Sequence, residues 1–262
     1  MKPAFSIIIP AHNEENYLEK TVQSIKKQSL QDYEAIIVTN GCTDKTEEVA
    51  KKLADSRISC LSLPRPNVSV ARNAGALNSK GDILVFLDAD TQLAPNALEK
   101  IKQEFTEEIA VATTTAKPDL PSFSYKSALN FKNMYNSFNI YHGCSGVLIC
   151  RKKNFQQTGG YNPEITVKEH RKLTLQLLKH GNYACIKTPA ITSMRRYQNW
   201  GIAKATKFWI EQWLKDKQGR LIAEKEDLQT ACDILFESIL LKVDELDGSL
   251  RQFFERLKAY LK

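Results

Sequence analysis

The chain has 262 residues, 26% of them charged, and a net charge of +7, which fits one large α/β domain or a domain with an appendage. No apolar run reaches the ~18 residues needed to cross a bilayer, and the stretch Phe5–Ile9 is too short for a signal-peptide core and stops at Pro10. A cytoplasmic chain is therefore expected, and the six scattered cysteines (Cys42, Cys60, Cys144, Cys150, Cys185, Cys232), which form no CxxC pair, read as reduced thiols.

In chain order, the first part alternates two patterns. Phe5–Ile9, Glu34–Val38, Ile58–Leu61, Ile83–Leu87 and Ile109–Thr114 read as strands, rich in Ile and Val and bounded by turn signals. Between them Glu14–Gln28, Thr43–Ala54, Ser69–Asn78 and Pro95–Phe105 carry apolar residues at helical spacing, with Leu18, Val22 and Ile25 on one face. Thr43 is placed to cap the second helix. This alternation predicts an α/β fold with a mostly parallel central sheet flanked by helices.

The middle, from about Lys117 to Tyr141, is irregular and aromatic-rich. A strand between glycine-rich turns follows in "GCSGVLICRKKNFQQTGGY", then a helix from about Val167 to Lys179, then one or two strands in "YACIKTPAITSMRRY". The tail from Gly201 reads as a C-terminal helical extension over 201–262. The main domain is expected over 1–200, with a first half to about residue 115 and a second over about 116–200.

Charge is spread unevenly. Lys117 to Lys215 holds sixteen Lys and Arg against four acids (Asp119, Glu164, Glu169, Glu211), a local excess of +12. Such a block suits either an anionic partner or a solubilising surface. Ala203–Lys215, with Phe208, Trp209 and Trp213 among lysines, suits a helix lying on an anionic membrane or one packed on protein.

The polar motifs fall where the strands end. "PAHNEE" (Pro10–Glu15) follows the first strand, "TNGCTD" (Thr39–Asp44) the second, and Asp88-Ala89-Asp90 the fourth. In open α/β sheets ligands bind beyond these carboxyl ends. The acid pair Asp88 and Asp90 suits a hard cation such as Mg²⁺ or Mn²⁺ shared with a substrate phosphate; the competing role is capping, by Asp90 or Thr91, of the helix near Pro95. In "VARNAGA" the small residues make a close-packed helix face that aims Arg72 at the sheet edge, to fork onto phosphate or stack on a base, or to sit in a surface ion pair. Arg195 and Arg196 form a second basic pair, for a leaving diphosphate or as plain basic surface. His12, His142, His170 and His180 lack metal spacing, and no GxSxG, HExxH, Walker A or GxGxxG pattern is present.

Four blocks, "FSIIIPAHNEENYLEKTVQSI", "IIVTNGCTDKTEEVA", "NVSVARNAGALNSKGDILVFLDADT" and "GCSGVLICRKKNFQQTGGYN", together resemble the family 2 glycosyltransferases of the GT-A nucleotide-sugar fold, over about Phe5 to Tyr197. The resemblance implies transfer of a sugar from a nucleotide-diphospho-sugar, UDP- or GDP-linked, to an acceptor hydroxyl, with inversion and with a divalent metal on Asp88 and Asp90. It places Pro10, His12, Asn13 and Glu14 beside the nucleotide, Arg72 near base or phosphates, and Asp88 on nucleotide and metal. Thr39 and Asn40 stand where the family often has an acid touching base or ribose. Glu169 and His170 stand where it has Glu-Asp with the Asp as catalytic base; either can serve, and Glu169 is the first choice. The Gln-x-x-Arg-Trp motif of polymerising members is absent, which implies single-sugar transfer, to a glycan or a lipid-linked acceptor. One of the two readings of Ala203–Lys215 adds peripheral contact at the cytoplasmic membrane face. Oligomeric state stays open.

Three other readings compete. A nucleotidyltransferase would favour a glycine- and arginine-rich loop after the first strand, which "PAHNEE" is not. A relative that binds nucleotide sugars without catalysis is kept open by Glu169-His170. Nucleic acid is disfavoured as a partner because acids occupy the strand ends.

Overall fold

The computed structural model describes residues 2–139, 142–144, 146–165, 168–201 and 204–205. The elements are β1 (Phe5–Ala11), α1 (Leu18–Lys26), β2 (Tyr33–Asn40), α2 (Thr46–Leu53), β3 (Ile58–Leu63), α3 (Val68–Asn78), β4 (Ile83–Leu87), β5 (Thr91–Leu93), α4 (Ala97–Glu104), β6 (Ile109–Pro118), α5 (Phe123–Ser137), β7 (Val147–Arg151), α6 (Lys152–Gln157), α7 (Glu169–Leu177), β8 (Asn182–Thr192) and α8 (Arg195–Trp200). They fall into two compact units: residues 1–117 with 132–192, and residues 118–131 with those from 193 on. The aromatic piece Phe208, Trp209, Trp213 and nearly all of the expected extension lie outside the described residues.

The first unit is built on one eight-stranded sheet in the order β3-β2-β1-β4-β7-β6-β8-β5. The strand–helix alternation of the first part gives what it implies: β1 pairs in parallel with β2 and β4, and β2 with β3. Beyond β4 the sheet is mixed, with antiparallel pairing of β7 to β4 and to β6, and of β5 to β8. Pro10 sits near the end of β1, where pairing with β4 has already stopped at Ile8. A missing N–H is tolerated on the side where pairing has ended, and Pro10 still pairs with Val38 of β2.

Successive side chains of a strand point to opposite faces, and both faces of β1 are covered. Ile7 and Ile9 join Leu18, Val22 and Ile25 of α1 and Leu98 and Ile101 of α4. Ile8 joins Leu84, Phe86, Leu148, Tyr161 and Leu173 on the other side. That double burial is why the strands read as unbroken apolar runs.

Three local expectations are revised. Thr43 does not cap α2; its N–H donates to the Asn13 side chain at 2.8 Å, and Asp44 accepts from the Thr46 N–H at 3.0 Å instead. The segment expected to be irregular forms the fifteen-residue helix α5. "MRRY" leads into the short helix α8 rather than a strand.

The close packing of α3 has one pinch point. A Cβ on Gly75 would lie 2.4 Å from Ile8 Cγ2 and 3.2 Å from Val38 Cγ2. Glycine there lets the helix lie directly on β1 and β2, which sets how far Arg72, one turn earlier, reaches. Gly75→Ala is expected to destabilise: overpacking costs ~1–3 kcal/mol, against a helix-propensity gain of only ~1 kcal/mol. Thermal unfolding should show a midpoint lower by about 2–4 °C; an increase would mean that α3 stands off the sheet.

Candidate active site

Three loops from the carboxyl ends of β1, β2 and β4 meet. After β1, Asn13 takes a left-handed conformation at φ 55°, which asparagine tolerates. Its side chain exchanges hydrogen bonds with Thr43, donating to Oγ1 at 3.1 Å and accepting from the N–H at 2.8 Å. The Glu14 N–H donates to Thr46 Oγ1 at 2.6 Å. His12 is exposed and donates from Nδ1 to the Asn40 carbonyl at 2.7 Å. Thr39 and Asn40 are buried. The Asn40 amide donates to the Ala11 carbonyl at 3.0 Å and accepts from the Asn67 N–H at 3.1 Å, so it ties the β1 and β2 ends to the start of α3. Asn67 in turn caps α3, accepting from the Val70 N–H at 3.0 Å.

After β4 the chain turns sharply. The Thr91 N–H donates to the Asp88 carbonyl at 3.0 Å, closing Asp88–Thr91 into a turn, and the Asp88 N–H donates to the Gly146 carbonyl at 2.9 Å. Gly146 has φ 82°, and a Cβ there would lie 2.6 Å from Thr91 Oγ1. Neither Asp90 nor Thr91 caps α4, whose N-cap is Asn96. The acids are thus not serving the helix.

Arg72 is the centre of the arrangement. It is 3% exposed and forks two ways: Nη1 to Glu169 Oε1 at 2.8 Å and Nη2 to Asp88 Oδ1 at 2.9 Å. Its guanidinium carbon lies 5.2 Å from the centroid of the Tyr161 ring. Tyr161 is itself fixed by Asn73, whose amide donates to the Tyr161 carbonyl at 2.8 Å and accepts from the Tyr161 N–H at 2.9 Å. The Tyr161 hydroxyl lies 2.9 Å from His170 Nδ1. His170 Nε2 faces Asp88 Oδ1 at 3.9 Å, an ion-pair distance too long for a hydrogen bond.

The charges follow from these neighbours. Burial works to raise the Asp88 carboxyl, but the proximity of His170 and the charge and hydrogen bond of Arg72 outweigh it and hold the group well below the usual carboxylate range. Glu169 is lowered in the same way: burial raises it, and His170 and Arg72 bring it down. For His170, burial and the Arg72 cation oppose protonation, while Cys144 and Asp88 favour it; the balance pushes the imidazole up to about 9. Burial keeps the Tyr161 phenol protonated.

Of the two candidate bases, Glu169 is thus an ionised carboxylate at neutral pH and His170 carries a proton. Asp88 and Asp90 offer hard oxygen donors on one turn. Among the described residues no three His, Cys, Asp or Glu groups form a closed metal cage. Mg²⁺ and Mn²⁺ need none where a substrate diphosphate completes the shell, and with an Asp88 side chain 37% exposed the donor set fits such a cation. Arg195 and Arg196 open α8 in the second unit, with the Arg196 guanidinium 5.6 Å from the Trp200 ring centroid.

Tyr161, Asn73 and Gly146 had no role assigned from sequence. The glycine pair before Tyr161 was the available signal: Gly160 has φ 76°, and a Cβ there would lie 2.7 Å from Asn73 Oδ1, so the loop must hug α3.

Parallel strands with acid-bearing loops at their carboxyl edge, one acid tied to a buried arginine, give an α/β domain whose strand ends suit a phosphate-bearing ligand. Residues 6–162 match the model of the family described as "Glycosyl transferase family 2", and the chain belongs to that family. It is 30% identical over 232 residues to the "Putative teichuronic acid biosynthesis glycosyltransferase TuaG" of Bacillus subtilis, covering 79% of this chain and 87% of the relative. It spans only 12% of the length of two larger curated relatives and 40% of another. Among solved structures, a mannosyltransferase from Pyrobaculum calidifontis in complex with GDP-Man and Mn²⁺ superposes with a TM-score of 0.68 at 14% identity, covering 100% of this chain and 85% of that one. S. aureus TarS 1-349 in complex with UDP gives 0.57 at 19% identity, covering 72% and 60%. At these identities the structural likeness is one of fold.

Two outcomes test the site. Removing the central cation strands its carboxylates, which for a buried pair costs ~3–5 kcal/mol; with Asp88 partly exposed and screened, Arg72→Ala should lose about 3 kcal/mol in urea unfolding, and Arg72→Lys, unable to fork, should recover only part of it. For His170 the folded pKa is raised, so its contribution is complete below about 6.5 and is lost as pH climbs through about 9. Wild-type stability should fall over that window by on the order of 2 kcal/mol relative to His170→Gln; parallel pH curves for the two proteins would refute the charged imidazole.

Proposed function

We propose that this chain moves a single sugar from a nucleotide-diphospho-sugar to an acceptor hydroxyl, with inversion at the anomeric carbon and with a divalent cation. The observation that carries the reading is the double fork of Arg72, which joins Asp88 at the end of β4, 16 residues on, to Glu169 of α7, 97 residues on. One charge centre thereby fixes both a donor-side and an acceptor-side carboxylate.

Glu169 serves as the base, taking the proton from the acceptor hydroxyl as its oxygen attacks the anomeric carbon opposite the leaving diphosphate. Arg72 holds Glu169 in position and keeps it ionised. Asp88 and Asp90 would hold the cation, which would supply positive charge to the diphosphate. His12, Asn13 and Glu14, on the loop after Pro10, border the nucleotide, and Thr39 and Asn40 shape the wall behind it. The neighbours' UDP and GDP-Man complexes favour a uridine or guanosine donor. The likeness to a relative named for teichuronic acid biosynthesis favours a glycan acceptor, free or lipid-linked. No helix among the described residues is long and apolar enough to cross a membrane, which is compatible with peripheral contact. A donor-binding relative without turnover remains the second reading, since His170 occupies the place of the family's base.

A panel of nucleotide sugars, assayed for nucleoside diphosphate release with and without EDTA, tests the proposal. Glu169→Gln should lower kcat by ~10²–10⁴-fold with little change in donor KM. Asp90→Asn should lose most activity while unfolding at the wild-type midpoint. Release at the full rate from either variant would sink the corresponding role. A wild-type protein that binds a donor and never releases diphosphate would establish the second reading.

A further inference from the structure

We propose that His170 is a positioning residue rather than the base: its ring, fixed by Tyr161, presents an Nε2–H that holds Asp88 in orientation for the donor diphosphate and its cation. The inference rests on the proposed donor site and assigns two residues to it, Tyr161 and His170.

The argument is geometric. Nδ1 of His170 is committed to the Tyr161 hydroxyl at 2.9 Å, and Nε2 faces Asp88 Oδ1 at 3.9 Å. Three protonation forms of the ring are available. If the hydroxyl donates to Nδ1, the proton sits on Nε2. If the ring is doubly protonated, Nδ1–H donates to the hydroxyl and Nε2 again carries a proton. Only the third form, protonated on Nδ1 alone, would free the Nε2 lone pair to act as a base, and it would set that lone pair against the carboxylate. Both favourable forms therefore leave a proton on Nε2, 3.9 Å from Asp88 Oδ1. Nε2 is buried and has no hydrogen-bond partner. A buried unpaired donor is costly, and a small rotation of Asp88 on ligand binding would satisfy it.

Tyr161 is placed to hold the ring still. It is 2% exposed, clamped through its backbone by Asn73, and packed edge-on against Phe86 with centroids 5.1 Å apart. The same ring lies under Arg72. Asp88 Oδ1 is thus approached by two cation-capable groups, both resting on one rigid aromatic. Partners of this kind around a metal-binding carboxylate typically carry ~10–100-fold in affinity.

Two measurements on the full chain test this. Long-range ¹H–¹⁵N spectra, with the His170 signal assigned by its loss in His170→Gln, should show Nε2 protonated, and Tyr161→Phe should release the ring to a mixture of forms. A bare Nε2 in the wild type overturns the proposal, whatever the protein binds. Calorimetry with UDP and with GDP, each with Mn²⁺, then reads the effect on Asp88. Dissociation constants should rise about tenfold in His170→Gln and several-fold in Tyr161→Phe, and the double variant should be no worse than His170→Gln alone, because the two act as one unit. If the affinities stay unchanged while kcat of His170→Gln collapses, His170 is the base. If the wild type binds neither nucleotide, the donor assignment fails, and the spectra still decide the state of the ring.

Discussion

The site depends on one buried cation. Arg72 is almost without solvent contact, and a guanidinium in that position is tolerable only when its charge is balanced and its donors are used. Asp88 and Glu169 supply the balance, and the Tyr161 ring covers the guanidinium from a third side. Each partner belongs to a different part of the chain: Arg72 to the helix packed on β1 and β2, Asp88 to the turn after β4, Glu169 to the first residue of α7, Tyr161 to the loop after α6. The arginine therefore couples the parallel half of the sheet to α7, which carries the proposed base. Its reach is set in turn by Gly75, which lets α3 approach the strands closely enough for the fork to span both acids.

Much of this was legible in the sequence because burial on both faces of the sheet leaves continuous apolar runs. Ile83–Leu87, ending in two acids, could be placed as a buried strand with its chemistry at the carboxyl end. Other features left weaker traces. The three-residue β5 is too short to show a period, and its pairing with β8 joins residues about a hundred positions apart. The helix α5 was masked by mixed aromatic and polar residues without a clear face. Thr43 looked like a cap because threonine before an acidic turn usually is one; it was instead engaged by Asn13, a long-range contact that local pattern cannot reveal. Tyr161 stood in a quoted motif, but nothing in "GGY" says that its ring lies beneath an arginine.

The pair Glu169-His170 stands where the resemblance places Glu-Asp, and its electrostatics have a plain logic. With an aspartate at position 170, Arg72 would be faced by three carboxylates, and like charges this close raise one another's pKa and compete for the one cation. With histidine, the four groups balance: Arg72 and His170 against Asp88 and Glu169. Both acids then remain ionised despite their burial. Asp88 stays a competent oxygen donor and Glu169 a proton acceptor at neutral pH.

That balance also limits what Glu169 can do alone. A carboxylate held below its ordinary range by two cations is a weaker base than a free one, so proton transfer gains less from basicity than from placement. The fork on Oε1 leaves the other oxygen of Glu169 fixed in direction, and a fixed acceptor avoids the orientational cost that a mobile one meets in the transition state. The same reasoning accounts for the aromatic bed beneath the site. Phe86, Phe155 and Tyr161 form a tilted and edge-on cluster with centroids 5.1–5.9 Å apart, and it leaves Arg72 and His170 little room to shift. Preorganised charge of this kind is most effective where surrounding groups cannot relax, which ties the reactivity proposed for the strand ends to the packing of the core directly below them.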